Sequence, residues 1–144
     1  MAPPRLHPDF GLEQLNARSP GTLPGWFGLT VTDLTPGRLE AGMTIRPDML
    51  APNGFLHAAS VVALADTACG YATIAHMPVG AQGFTTIELK SNFLGTRLEG
   101  RLVAVATAAH CGRNTHVWDA EVCGEDGGRL ALFRCTQMIL WPRA

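Results

Sequence analysis

One carboxylate, Asp66, stands in the middle of a long apolar stretch, residues 58 to 75, that contains no other charged side chain. If the stretch is a helix, the side chains that share a face with this carboxylate are all small or short: Val62, Ala63, Cys69 and Gly70. A buried carboxylate is costly unless it is paired, hydrogen-bonded or protonated. Since perturbed carboxylates cluster at functional sites, Asp66 is a candidate general base or nucleophile. The structural alternative is that it pairs with an Arg of a neighbouring strand or caps a helix kink.

The residues just before this stretch form a second candidate group. The turn pair Asn53-Gly54 and then His57 precede the first helical turn, where free backbone N–H groups and the positive end of the helix dipole could hold an oxyanion. Ala58 precedes Asp66 by eight residues, which is about 12 Å at about 1.5 Å per residue. One small carbonyl cannot contact both. If both act on one substrate, the N–H donor must come from a second copy of the chain.

The other reactive side chains do not form a recognised catalytic arrangement. The five His residues show neither an H-E-x-x-H motif nor a paired spacing, so we expect no metal site. Ser60 lies outside a G-x-S-x-G elbow and is predicted to be an ordinary first-turn residue. The four Cys residues stand far apart without a CxxC pair, which favours reduced thiols in a cytoplasmic protein.

Length and charge limit the possible classes of protein. With 144 residues and a net charge of -1, we expect one domain over 1–144, whose N-terminal segment, 1–20, contains a short helix. The Lys and Arg residues are spread along the chain, so nucleic-acid binding is not expected. The N-terminus lacks the pattern of a secretion signal, and Asp66 interrupts the one stretch that approaches the length of a membrane span. We therefore predict a cytoplasmic protein without a membrane segment.

The elements around the candidate residues predict an α+β fold. A short helix is predicted over 8–17, then a Pro/Gly loop over 19–25, then two strands hinged at Pro36-Gly37. The long helix follows. Four strands come after it, and strands in runs that do not alternate with helices predict an antiparallel sheet with the helix on one face.

The first strand after the helix and the long helix itself allow further predictions about burial. The first strand after the helix alternates apolar with polar residues, which predicts a half-buried strand; its predicted inner side is Ile87, Leu89, Ser91 and Phe93. The long helix is apolar nearly all round, so it must be covered on most sides. One flat sheet covers only one side, and we therefore expect a curling sheet and an oligomer.

The segment "GFLHAASVVALADTACGYA" resembles the G-x-x-H-G-G … L-A-(D/E) motif of the hotdog-fold acyl-CoA thioesterases. The branch is that of the phenylacetate-pathway, 4-hydroxybenzoyl-CoA and 1,4-dihydroxy-2-naphthoyl-CoA enzymes, and the likeness covers roughly residues 10 to 141. It implies a hotdog fold, in which a curved antiparallel sheet wraps around one long central helix. It also implies hydrolysis of an acyl-CoA, aromatic or of medium chain length, by a homo-oligomer that is a dimer of dimers. No cofactor is implied, because coenzyme A is part of the substrate.

The resemblance also assigns roles to residues. Asp66 is implied to be the catalytic carboxylate, and the Ala58 N–H of the neighbouring subunit is implied to polarise the thioester carbonyl, with His57 and Gly54 shaping that turn. Thr86 matches a hydroxyl position near the acid in some members. Four turn residues match the region that contacts coenzyme A: His110, Gly112, Arg113 and Asn114. For Arg113 a solvated hairpin position is an alternative to a phosphate contact.

Several positions depart from the family pattern. Ala58-Ala59 replaces a Gly-Gly pair, which is acceptable only if the turn needs no positive φ. Ala51 replaces a Gln or Asn, Gly70 a Ser or Thr, and Phe93 a His. These losses leave two alternatives open. One is a non-catalytic acyl-CoA-binding accessory protein, and the other is a hotdog hydratase or dehydratase, against which the shortage of a suitably placed His after residue 57 counts.

Overall fold

A long helix packed against a six-stranded sheet is the main feature of the computed structural model, which describes residues 3–143. The helices are α1 (Leu12–Asn16), α2 (Leu23–Trp26) and α3 (Ala58–His76), with a 3-10 turn at Pro47–Met49. The strands are β1 (Thr30–Thr35), β2 (Arg38–Thr44), β3 (Gly83–Phe93), β4 (Arg101–Cys111), β5 (Thr115–Gly124) and β6 (Arg129–Leu140). The predicted α+β class is confirmed.

The sheet has the strand order β1-β2-β4-β5-β6-β3, and every neighbouring pair is antiparallel. The strand that directly follows α3 in the sequence, β3, therefore lies at one edge, beside the last strand, β6. Helix α3 contacts β2, β3, β4, β5 and β6, so the sheet curves around it as expected.

Local sequence explains where α3 begins and ends. His57 has an extended backbone and its ring Nδ1 accepts the Ala59 N–H at 2.9 Å, which caps the first turn. Pro78 follows the last turn and disfavours helical backbone at the residue before it. Between these points 13 of the 19 residues are buried within a single chain. The curling sheet therefore covers most of the helix, as expected, and the residues left half-buried include Val62, Ala63 and Asp66.

The N-terminal region differs from the prediction in two places. The predicted helix over 8–17 is only the five residues of α1, because the chain turns first at Pro8-Asp9 and the helix begins after Gly11. The predicted Pro/Gly loop contains α2, a single helical turn. Pro24 stands in the first turn of α2, where its missing N–H costs nothing and its fixed φ suits a helix.

Strand β3 has the predicted position but not the predicted burial. Its register against β6 shifts between Thr86 and Glu88, so Ile87 is a bulge and the alternation restarts after it. Leu89 and Phe93 then face the helix side as expected. In a single chain they are nonetheless 43% and 48% exposed, because β3 is an edge strand that nothing further covers.

Candidate active site

Asp66 lies halfway along α3 and lacks a partner. Its Oδ1 atom is buried and forms no hydrogen bond with any described residue, although the side chain as a whole is half-buried. Among residues 3–143 it takes part in no ion pair, which removes the structural alternative of a strand Arg. Burial raises the pKa of the carboxyl group above its ordinary value. The arrangement favours a reactive carboxylate, since its charge is not stabilised within the chain.

The carboxylate lines a small pocket of about 190 Å³ between α3 and the start of β3. The lining is mainly apolar and consists of Pro24, Asp66, Thr67, Gly70, Tyr71, Ile74, Phe84 and Thr86. Gly70 makes room for an aromatic ring here, because a Cβ at this position would lie 3.1 Å from Cζ of Phe84. A Ser or Thr in place of Gly70 would therefore crowd that ring.

Thr86 is the one sequence-predicted residue that shares this pocket with Asp66. Its hydroxyl donates a hydrogen bond to Oε1 of Gln137 on β6, at 2.8 Å. The bulge directly after Thr86 keeps this hydroxyl on the helix side of the sheet while the following residues re-pair.

The N-terminus of α3 presents a free backbone donor. The Ala59 N–H donates to the His57 ring and the Ser60 N–H donates to the His57 carbonyl, at 2.9 Å in both cases. No acceptor for the Ala58 N–H is found within residues 3–143. An unpaired N–H at the positive end of a 19-residue helix can stabilise a developing oxyanion.

Replacing Gly-Gly by Ala-Ala does not distort this turn. No described residue other than glycine has a positive φ, so neither Ala58 nor Ala59 is strained. The turn before the helix does need a left-handed residue, and Gly54 supplies it with φ of 87°. Ala51 lies in the same connection, where its N–H donates to the Phe55 carbonyl, and its methyl group offers no polar contact to a substrate.

The β4–β5 turn is separate from the Asp66 pocket. The turn closes through the Gly112 N–H, which donates to the Thr115 carbonyl, and Asn114 accepts the Ile139 N–H. The Arg113 guanidinium lies 4.5 Å from the centre of the Trp141 ring, whose N–H donates to the Arg113 carbonyl. This stacking orients the charged group without neutralising it.

A different groove, of about 600 Å³, lies between this turn, the end of α3 and the N-terminal segment. It is lined by Gly112 and Arg113 but not by Asp66 or Thr86. His110 stands at the end of β4, just before the turn. One chain therefore places the sequence-predicted residues in three groups: Asp66 with Thr86, the start of α3, and the β4–β5 turn.

Sequence analysis missed five pocket residues, of which Thr67, Tyr71 and Ile74 belong to α3, and one residue behind the pocket. Pro24 and Phe84 line the pocket, and Gln137 bonds Thr86 from the neighbouring strand. A signal for Gln137 existed: it is an amide in the apolar, alternating strand "RLALFRCTQMIL". The register that brings it beside Thr86 could not be read from the sequence.

A much larger groove, about 670 Å³, lies elsewhere, on the sheet face that points away from α3. Most of its charged side chains are already paired: Arg134 with Asp119 at 2.5 Å, and Glu121 with Arg129 just outside the groove. If size were the only criterion, this groove would be preferred as the candidate active site over the Asp66 pocket. We give the smaller pocket priority, because it holds the unpartnered carboxylate.

Two further properties bear on the kind of site. Within residues 3–143 no three His, Cys, Asp or Glu side chains lie close enough to hold a metal ion. Helix α3 is long and apolar enough to cross a membrane, but 67% of its apolar window is buried inside the protein. The core helix of a soluble protein passes the same test, so this property does not indicate a membrane span.

Comparison with known proteins gives one consistent result. The thioesterase superfamily model matches residues 53–131. PA1618 from Pseudomonas aeruginosa, named as a candidate esterase, is 32% identical over 136 residues, 94% of this chain and 92% of that protein. A crystal structure of a mutant of PA1618, there called a thioesterase, has a TM-score of 0.88 at 30% identity and covers 94% of this chain and 97% of its own.

A second relative carries a more specific name. The 1,4-dihydroxy-2-naphthoyl-CoA hydrolase of Escherichia coli is 30% identical over 132 residues, which is 90% of this chain and 94% of that protein. These likenesses confirm the hotdog thioesterase fold that the sequence motif implied. They also favour hydrolysis over the binding-protein and hydratase alternatives.

Proposed function

Because this chain belongs to the thioesterase superfamily and is a thioester hydrolase, we propose that its substrate is an acyl-CoA with an aromatic or medium-chain acyl group. The observation that carries the proposal is the unpartnered Asp66 carboxylate in an apolar pocket. A low dielectric strengthens the interactions of a fixed charge with the reacting groups. Four free cysteines agree with a cytoplasmic enzyme, since thiols stay reduced in that compartment.

The reaction needs a base or nucleophile and an oxyanion site. Asp66 takes a proton from water, or attacks directly, and a new C–O bond forms at the thioester carbonyl carbon. The carbonyl oxygen becomes an oxyanion that the Ala58 N–H of a second subunit stabilises, with His57 and Gly54 holding that turn. The C–S bond then breaks, and the thiolate of coenzyme A leaves. When water attacks, the carboxylic acid is the second product; when Asp66 attacks, a mixed anhydride forms on Asp66, and water hydrolyses it to the same acid.

A second copy of the chain is part of the proposal. The half-buried side of α3, which includes Val62, Ala63 and Asp66, lies beside the edge strand β3 with its exposed Leu89 and Phe93. An edge strand with apolar side chains is a template for pairing with another strand. A homodimer that covers this surface, doubled into a tetramer, would also bring the Ala58 N–H of one copy to the Asp66 pocket of the other.

The β4–β5 turn is proposed to bind the coenzyme A portion. Arg113 is held by Trp141 with its charge free, which suits a phosphate, and His110, Gly112 and Asn114 complete the turn. Arg113→Ala should raise KM for an acyl-CoA without changing kcat. An unchanged KM would contradict the phosphate contact.

The direct test is hydrolysis of a panel of aromatic and aliphatic acyl-CoAs, with free coenzyme A measured by chromatography. We expect release by the wild-type protein and a loss of about 10³-fold or more in Asp66→Ala. The ranking of the panel identifies the acyl group. Tight binding of every acyl-CoA without release would contradict the proposal and favour an accessory binding protein.

Subunit mixing tests whether the site is shared. Asp66→Asn lacks the carboxylate and Ala58→Pro lacks the N–H, so each homodimer should be inactive. A mixed dimer contains one intact site out of two, and random 1:1 exchange should restore about one quarter of the wild-type activity. No recovery after exchange verified by mass spectrometry would contradict the shared site, as would full activity in a monomeric preparation.

A further inference from the structure

Gln137 is a buried amide with no obvious reason to be in the core. It lies on the helix-facing side of β6, where the other side chains are Ala131, Phe133, Cys135 and Ile139, and none of its surface is exposed. A buried amide is costly unless its polar atoms are satisfied, and an apolar side chain of similar shape would fill the same space. The fold alone does not require a polar group here.

Both ends of the Gln137 amide are engaged. Oε1 accepts the Thr86 hydroxyl hydrogen at 2.8 Å, and Nε2 donates to Sγ of Cys135 at 3.3 Å. The Cys135 thiol lies close to the Cys69 thiol of α3, one turn beyond Asp66, and this neighbour together with burial raises the pKa of Cys69. Cys135 and Cys69 are both fully buried, so this end of the chain of hydrogen bonds is fixed in the core.

The charge state around this network is constant. His116 pairs with Gln137 across β5 and β6 and is 1% exposed. Burial, and then the neighbouring His76, lower its pKa to about 4. His116 is therefore neutral at ordinary pH and does not compete for Oε1 as a charged donor. The remaining role of that oxygen is to hold the Thr86 hydrogen.

From this geometry we infer that Gln137 is a positioning residue that fixes Thr86 as a hydrogen-bond acceptor toward the Asp66 pocket. A hydroxyl has one hydrogen and two lone pairs. Because Gln137 takes the hydrogen, only lone pairs of the Thr86 oxygen face the pocket. They accept one hydrogen of the attacking water, while Asp66 accepts and removes the other. The free lone pair of that water then points at the thioester carbonyl carbon.

This inference rests on the proposed function and makes it more specific, because it assigns Asp66 to general-base catalysis. A water held by two acceptors loses much of its orientational freedom before the reaction, which is the usual way in which positioning lowers a barrier. The proton moves to Asp66, the water oxygen bonds to the carbonyl carbon, and the C–S bond breaks in the collapse of the intermediate.

A double-mutant cycle between Gln137→Met and Thr86→Val tests the inference, with kcat and KM measured on the best substrate of the panel. We expect Gln137→Met to lower kcat about five- to tenfold, with KM unchanged. In the Thr86→Val background the same substitution should have no further effect on kcat, because Gln137 acts only through that hydroxyl. Thr86→Ser keeps the hydroxyl and should retain kcat within about threefold.

The matched control is Thr85→Val, since Thr85 precedes Thr86 on β3 and is an exposed residue outside the pocket. It should leave kcat unchanged. If Gln137→Met does not fold, Gln137→Asn, which withdraws the amide by one methylene, replaces it in the cycle with the same expectation. Melting temperatures accompany each variant.

Two results would overturn the inference. One is an equal loss of kcat from the Gln137 variant in both backgrounds, which a merely structural role would give. The other is no loss at all in the protein that retains Thr86. Neither result affects the proposed function, which fails separately if the wild-type protein releases no coenzyme A or if Asp66→Ala is as active as the wild type.

Discussion

The two halves of α3 have similar composition but opposite environments. From residue 68 to 76 every residue is buried, whereas in the half from 58 to 67 only four residues are: Ser60, Val61, Leu64 and Ala65. Polar groups in the second half are satisfied within the chain. The Thr73 hydroxyl donates to the Cys69 carbonyl, and His76 contacts the Ala72 carbonyl and accepts the Gly37 N–H.

The first half keeps two polar groups unsatisfied, although the Ser60 hydroxyl donates to the Met49 carbonyl. Asp66 Oδ1 has no partner among the described residues, and neither does the Ala58 N–H. This difference distinguishes structural polar groups from functional ones. A structural polar group is hydrogen-bonded within the chain, whereas a functional one stays free for a ligand or a partner subunit. Burial alone does not make this distinction, since His76 and Asp66 are both titratable groups whose pKa is shifted by burial.

After the loss of Asp66 itself, the largest expected effect on activity comes from the unpaired Ala58 N–H. Ala58→Pro deletes this donor alone, because Pro is tolerated at the first helical position and His57 already has the extended backbone that precedes Pro. We expect kcat to fall about 10²- to 10³-fold, the usual loss for one oxyanion donor. Ala58→Gly keeps the N–H and serves as the control. Equal activities of the two variants would show that the first half of α3 does not supply the donor.

In the second half of the helix the expected effect is on stability. His76→Ala leaves the Gly37 N–H without its acceptor and opens a cavity beside Trp118, which should cost about 2–3 kcal/mol in the free energy of unfolding. Chemical denaturation measures this loss. The kcat of the folded variant should stay within about twofold of the wild type. A large loss of kcat in His76→Ala with little loss of stability would show that the second half of α3 also has a catalytic role, which would contradict the proposed difference between the halves.

The pH dependence of kcat/KM should reflect the titration of Asp66, in the first half of α3, and not that of His76 in the second half. Since burial raises the pKa of Asp66 and catalysis needs its ionised form, the acid limb should have its midpoint above about 3.9, the ordinary value of Asp. Below the midpoint the rate should fall about tenfold per pH unit. His76→Phe should not move this midpoint, because His76 lies at the other end of the helix and does not line the Asp66 pocket. A midpoint that follows His76 instead of Asp66 would contradict the assignment.

The smallest effect concerns the stability that the folded protein loses by burying the ionised Asp66 carboxylate. A raised folded-state pKa means that the folded protein binds a proton more readily than the unfolded chain does. The stabilisation from that proton is complete below the ordinary pKa and is lost as pH rises through the raised one. At pH 7 Asp66→Asn should therefore raise the melting temperature by about 2–4 °C, or about 1 kcal/mol. The gain should vanish near pH 3; a gain that persists there would have another cause.

Features of the fold and site that depend on residues close together in the sequence could be predicted from it. The limits of α3 are local, since an apolar run lies between a capping His57 and Pro78, and they were predicted closely. The run of strands after the helix correctly predicted the antiparallel sheet. Asp66 was recognised because one charge in an apolar helix is visible in the sequence itself.

The remaining features depend on contacts between distant residues. Thr86 and Gln137 are 51 positions apart, and only the β3–β6 pairing brings them together. The bulge at Ile87 and the exposure of Leu89 follow from the place of β3 at the sheet edge, which no local pattern encodes. Helix α2 differs from the prediction because Pro and Gly indicate a loop, whereas Pro also begins helices.

The contact between Gly70 and Phe84 also constrains the order in which the pocket can change. A hydroxyl-bearing side chain at position 70 would meet the phenyl ring at 3.1 Å before it reached a substrate. Gly70→Ser should therefore be harmful alone and acceptable after Phe84 has become smaller. The two positions are therefore expected to be epistatic: a mutational route to Ser or Thr at position 70 is easier once position 84 has changed, and a library that varies position 70 alone samples it only with the Phe84 ring in place.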